Sequence, residues 1–134
     1  MEKRRTRRRS EVSPLEAKEQ RYLFQWAANM AMYKWPVLRL MYHIPNGGSR
    51  NSIEAANLKA QGVKRGVPDV FLPVARQGFH GLYIEMKRRR GGVLSKDQKE
   101  YIEALKEQGY RVEVCKGFLA AADVIEDYMG KEQE

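Results

Sequence analysis

Apolar residues recur along the chain in blocks whose period changes, and each change predicts an element. Leu15, Leu23, Trp26, Ala27, Met30 and Tyr33 keep to one helical face. Ser13 is placed to cap and Pro14 to open that helix, which should stop before Pro36. Val37 to Ile44 is apolar enough for a strand, closed by the turn Pro45-Asn46-Gly47-Gly48. Ser52 to Gln61 has an alanine-rich face and a following Gly62, which predicts a short helix. Val70 to Val74 and Leu82 to Met86 are rich in β-branched and aromatic residues and predict two strands joined by a turn around Arg76-Gln77-Gly78. A helix over Lys96 to Gln108 follows, capped by Ser95, ended by Gly109 and carrying Tyr101, Ile102 and Leu105 as its core stripe. Tyr110 to Cys115 alternates as a strand, Phe118 to Met129 closes as a helix, and Gly130 to Glu134 should fray. The expected architecture is α/β, a mixed β-sheet flanked by helices.

Acidic residues in the middle of this pattern have no structural use. In an antiparallel hairpin facing residues have numbers of constant sum, and a turn centred on position 77 places Asp69 opposite Glu85. Glu85 and Lys87 then share one face about 7 Å apart, while Met86 points to the other. Two adjacent carboxylates repel unless a cation sits between them, which suggests a divalent metal with oxygen ligands, Mg²⁺ or Mn²⁺. Pro68 stiffens the backbone that carries Asp69, and the Met86 backbone carbonyl offers a further oxygen. A metal held this way beside a lysine suits phosphodiester hydrolysis. The plainer reading is a surface hairpin with a solvated cross-strand ion pair.

Pro68-Asp69 followed by Glu85-Met86-Lys87 resembles the PD-(D/E)XK signature of the restriction-endonuclease-like nucleases. Around it stand Ile44-Pro45-Asn46-Gly47-Gly48, Gly66-Val67 before Pro68, His80-Gly81-Leu82-Tyr83-Ile84 before Glu85, Leu94-Ser95 with Gln98, and Gly109-Tyr110-Arg111-Val112 leading to Val114-Cys115. Together these resemble the VRR-NUC family, the virus-type replication-repair nuclease domain, over roughly residues 14 to 129. The resemblance implies a restriction-endonuclease-like fold and a structure-selective DNA endonuclease dependent on Mg²⁺ or Mn²⁺. Members occur as stand-alone phage and bacterial proteins and as the catalytic domain of the larger Fanconi-anaemia-associated nuclease. Likeness to the stand-alone kind implies a homodimer acting on four-way (Holliday) junctions in replication, repair or recombination.

The resemblance also assigns residues. Asp69 and Glu85 would bind metal, Lys87 would position water or offset developing charge, and Gln98 would join the active site. A first-helix glutamate near the metal, acting directly or through water, matches Glu16 best, with Glu19 as a rival; Gln20 lies four residues on from Glu16, on the same face. By helix statistics alone Glu16 is a first-turn glutamate favoured by the dipole, and Gln98 a surface side chain. Gln20, Asn46 in its glycine-rich turn, Lys64, Arg65, Lys96 and the run Arg88-Arg89-Arg90 are the candidate DNA contacts, arginine being suited to bidentate phosphate binding. His43 lies near the expected site or simply packs.

Charge sharpens the choice of partner. The 134 residues carry a net charge of +8, and within residues 1–10 Lys3, Arg4, Arg5, Arg7, Arg8 and Arg9 against Glu2 supply +5 of it, leaving +3 for the rest. Residues 1–12 are thus expected to be a disordered basic arm that binds phosphate backbone or merely solubilises, residues 13–130 one domain, and residues 131–134 a frayed tail. A single cysteine and two histidines exclude an internal disulfide and a zinc centre and suit a reducing cytoplasm. No apolar run reaches the roughly 18 residues that span a bilayer, so no membrane partner is expected. Rival functions are a noncatalytic DNA-binding module of the same fold and a flap- or RNA-directed nuclease. Intact acids and lysine disfavour the first; nothing in the sequence separates RNA from DNA.

Overall fold

The computed structural model describes residues 14–45 and 51–130. The basic arm, Ser13, Asn46 with its turn, and residues 131–134 lie outside them. Helix α1 (Pro14–Tyr33) is followed by a 3₁₀ turn (Pro36–Leu40), strand β1 (Tyr42–His43) and helix α2 (Ser52–Ala60). Then come β2 (Val70–Leu72), β3 (Leu82–Lys87), α3 (Lys96–Glu107), β4 (Arg111–Lys116) and α4 (Phe118–Met129). The strands form one mixed sheet in the order β1-β2-β3-β4, antiparallel except for the parallel pair β3-β4. This is the expected α/β arrangement.

The expected strand over Val37 to Ile44 is largely replaced by the 3₁₀ turn. Pro36 occupies its first turn, where the missing N–H costs nothing, and the tighter coil turns Leu38 into the core with Met41 behind it. Only Tyr42 and His43 remain to pair with Phe71 and Val70. Strand β2 likewise ends at Leu72 instead of Val74, because Pro73 has no N–H for the ladder.

Side-chain alternation sorts the sheet into two faces. Val70, Leu72, Leu82, Ile84, Met86 and Cys115 join Leu23 and Ala27 of α1 and Ala121, Ile125 and Tyr128 of α4 in the buried core. Burial pushes the Cys115 thiol up to about 12, so it is an inert core residue. The opposite face carries Phe71, Tyr83, Glu85 and Lys87, with α3 packed over the β4 side. The hairpin turn is clamped to the end of α4. Gln77, in the left-handed region at φ 54°, donates from Nε2 to the Asp127 and Tyr128 carbonyls at 2.7 and 3.0 Å. The buried Tyr128 hydroxyl donates to the Val74 carbonyl at 2.6 Å.

Candidate active site

Strand pairing positions the acids. Val70 faces Ile84, Phe71 faces Tyr83 and Leu72 faces Leu82, so the same register continued one step sets Asp69 opposite Glu85, as the turn predicted. Asp69 is held at both ends: its Oδ2 accepts from the Met86 N–H at 2.8 Å, and its carbonyl accepts from the Ile44 N–H at 2.7 Å and from His43 Nδ1 at 2.9 Å. That bond to a carbonyl places the imidazole proton on Nδ1 and gives His43 a positioning role that its sequence left open.

Glu85 is 3% exposed. Its Oε2 accepts from Gln98 Nε2 at 2.8 Å and lies 3.5 Å from Lys87 Nζ, itself 3.4 Å from Gln98 Oε1. Gln98 is locked in turn by the start of α3. Its Oε1 accepts from the Ser95 N–H at 2.9 Å while its own N–H donates to Ser95 Oγ at 3.1 Å, a reciprocal capping box. The helix cap is thereby part of the site. Gly66, at φ 87°, lets this corner close, since a Cβ there would come 2.5 Å from the Asp97 carbonyl oxygen.

The electrostatics are those of two acids short of a counter-charge. Burial, and after it the nearby Asp69, pushes the Glu85 carboxyl up to about 8, with Lys87 opposing. Asp69 is raised as well, mainly by burial, against the Met86 hydrogen bond. Glu85 Oε1 is buried with no hydrogen-bond partner. An orphaned carboxylate oxygen beside a second carboxylate fits a hard divalent cation. The register adds a third donor. Even-numbered β3 residues turn their backbone groups toward β2, as the Met86 N–H shows, and the ladder partner of the Met86 carbonyl would be residue 68. A proline there has no N–H to give. Among the described residues no three His, Cys, Asp or Glu side chains gather into a ready metal cluster. A metal held here would take two carboxylates and a carbonyl from the protein and complete its shell with waters, as Mg²⁺ does.

A cleft of about 200 Å³ opens beside these groups, lined by Glu16, Gln20, Arg21, His43, Asp69 and Met86. Glu16 is close enough to act on the charge of both Asp69 and Glu85. Glu19 turns elsewhere: its Oε1 accepts from the Phe118 N–H at 2.7 Å, capping α4, and its Oε2 pairs with Arg89 Nε at 3.0 Å. The two glutamates thus divide into one at the site and one holding helices together. Glu19→Ala should cost about 1 kcal/mol of stability through the lost cap and leave cleavage per folded molecule within about twofold. Glu16→Ala should lower cleavage about 10–100-fold, the usual effect of an outer-shell metal partner, with little change in melting temperature. Thermal melts paired with initial rates check both, and a reversed pattern would exchange the roles.

The candidate DNA contacts are dispersed. Lys64 is exposed, Arg65 lies 3.6 Å from Asp97, and Lys96 lies 3.8 Å from Glu100. Arg88 Nε donates to the Arg90 carbonyl at 3.0 Å, which curls the arginine run back on itself, and Arg89 is occupied by Glu19. The anchoring role of Gln77 carried no sequence signal, and the Glu19 cap spans 99 positions. Helix α2 buries no residue and is capped by Asn51, whose side chain accepts from the Glu54 N–H. A larger groove of about 590 Å³ between α3 and β4 mixes exposed Lys99, Glu103 and Lys106 with apolar residues and gathers no chemistry.

Comparison with known proteins gives the family. The family model for the VRR-NUC domain matches residues 6–119. A solved structure titled "VRR_NUC domain protein" superposes with a TM-score of 0.75 at 32% identity, covering 89% of this chain and 91% of its own. No curated protein matches. No helix among the described residues is long and apolar enough to cross a membrane. The match over most of the chain, with a likeness in structure of the same extent, makes this protein a member of the VRR-NUC family of nuclease domains.

Proposed function

We propose that the protein is a divalent-metal-dependent, structure-selective DNA endonuclease, and that its substrate is branched DNA cut by a homodimer at four-way junctions. The observation that carries the chemistry is the buried, unpartnered Oε1 of Glu85, a residue that faces Asp69 across the hairpin and meets Lys87 through its other oxygen. Such an oxygen costs free energy unless something cationic completes it.

Asp69, Glu85 and the Met86 carbonyl would hold Mg²⁺ or Mn²⁺, with Glu16 reaching it through water. When bound, the cation acidifies water and offsets charge gathering on the phosphate. The remaining work falls to side chains of this chain. Lys87, 3.5 Å from Glu85, orients the attacking water and donates to the phosphate oxygen that gains charge. Gln98 holds Glu85 and Lys87 at fixed separation, so neither has to reorganise during attack. The water's proton passes to solvent through the cleft, and the bond to the leaving 3′ or 5′ oxygen breaks in line with attack. Lys64, Arg65, Lys96 and the arginine run would grip the flanking backbone, contacts that recognise shape more than base sequence.

Labelled single strand, duplex, flap and mobile four-way junction, each incubated with Mg²⁺, Mn²⁺ or EDTA, test this reading. Paired symmetric cuts across the junction, absent in EDTA, are the expected result. Cutting confined to flaps, to duplex or to RNA would keep the chemistry and replace the substrate. Tight binding with no cleavage in either metal would leave a noncatalytic module and end the proposal.

A further inference from the structure

One register step from the acids, on the same sheet face, the side chains become aromatic. Phe71 follows Asp69 by two positions on β2, Tyr83 precedes Glu85 by two on β3, and Tyr42 of β1 faces Phe71. The Phe71 and Tyr83 rings stack at 4.2 Å and 20°. Tyr42 meets Phe71 edge-on at 5.9 Å, and Tyr110 stands edge-on to Tyr83 at 5.3 Å. Gly81 makes the arrangement possible: a Cβ there would lie 2.8 Å from Phe71 Cε1, so the phenyl ring lies over bare backbone. Tyr42 is 50% exposed, and Phe71, Tyr83 and Tyr110 are only half-buried.

A row of rings left open to water, with phenol hydroxyls along it, is an amphipathic surface that a packed core does not need. Its place names its occupant. The step from Glu85 to Tyr83 is about 7 Å, two rises of a stacked strand at about 3.4 Å each, so a strand with its phosphate at the acids brings its neighbouring bases over the rings. Bases inside a duplex are already stacked and have no free face to offer. Unpaired ones do, and aromatic side chains bind them with little regard to sequence.

We propose that Tyr42, set edge-on against the stacked Phe71–Tyr83 pair, is a stacking platform for unpaired nucleotides flanking the scissile phosphate, which selects DNA whose strands part at the cut site. This rests on the nuclease reading for its register with the phosphate, and its test separates the two. DNA carrying 2-aminopurine at an unpaired position two nucleotides from the cut, and a blunt duplex of the same length, are titrated in EDTA against wild type, Tyr42→Phe and Tyr42→Ala. Tyr42→Ala is expected to weaken binding of the DNA with the unpaired 2-aminopurine by about 5–150-fold and to relieve 2-aminopurine quenching. The blunt duplex should change less than about twofold, and Tyr42→Phe, which keeps the ring, should behave as wild type.

Equal losses on both DNAs would overturn the platform, as would unchanged affinity combined with a shift in light-scattering mass, which would make the face a contact between copies of the chain. Metal-dependent cleavage that ignores the ring at position 42 would remove the platform and keep the nuclease. Ring-dependent quenching without any cleavage would do the reverse.

Discussion

Lys87→Ala should lower cleavage by at least about 10²–10³-fold, the scale on which removing one preorganised donor to a developing oxyanion is felt, while DNA affinity changes less than about threefold. The ammonium sits 3.5 Å from a buried carboxylate and is itself largely enclosed, and alanine leaves no cation in its place. It makes little of the binding surface, because the exposed cations lie on the loops around it. Single-turnover rates beside fluorescence anisotropy measure the two effects separately. Parallel loss of rate and affinity would show that Lys87 grips DNA and would remove it from the chemistry. Lys87→Arg should not rescue, since a planar fork cannot take the place of a compact ammonium against Gln98.

Glu85→Gln should abolish metal-dependent cleavage and at the same time make the metal-free protein more stable in alkaline solution. Folding raises the Glu85 carboxyl from its ordinary 4.5 to about 8, chiefly through burial. Between those values the unfolded chain has lost its proton and the folded chain has kept it. Stability of the metal-free wild type therefore falls as pH rises across that window and levels off above it, a loss on the order of a few kcal/mol. Asp69, also raised, pulls the same way. Glutamine copies the protonated carboxyl and removes the slope. Metal should restore the wild type at pH 8 by about 2.7 kcal/mol at a hundredfold excess over its dissociation constant, and should do nothing for the variant. Thermal melts at pH 5, 7 and 9, with and without Mn²⁺, follow each of these effects. A wild-type melting temperature flat in pH and indifferent to Mn²⁺ would mean that Glu85 is not a strained metal ligand.

The sequence exposed those features whose causes are local. A tight turn fixes which residues face one another, so Asp69 opposite Glu85 could be read from the position of the turn alone. Ser95 and its partner three residues on mark the start of α3, and glycine flanks place α4 at Phe118–Met129 as expected. Features that depend on distant packing were hidden. Val37 and Leu38 look like a strand until the core that receives Leu38 is present, and only then does the 3₁₀ turn after Pro36 win. Glu19 could not be parted from Glu16, since what separates them is the Phe118 N–H at the other end of the chain. The aromatic face was invisible for the same reason: Tyr42, Phe71, Tyr83 and Tyr110 are scattered in sequence and meet only in the sheet.

The clamp on the hairpin turn also sets a timetable. Gln77 and Val74 are fixed by groups on Asp127 and Tyr128, which leave the ribosome long after the strands they steady. At about 5–20 residues per second, the interval between translating Glu85 and Tyr128 is roughly 2–9 s. Through that interval Asp69 and Glu85 have been translated but the turn that sets them opposite one another has no anchor, so the hairpin is clamped only when α4 docks.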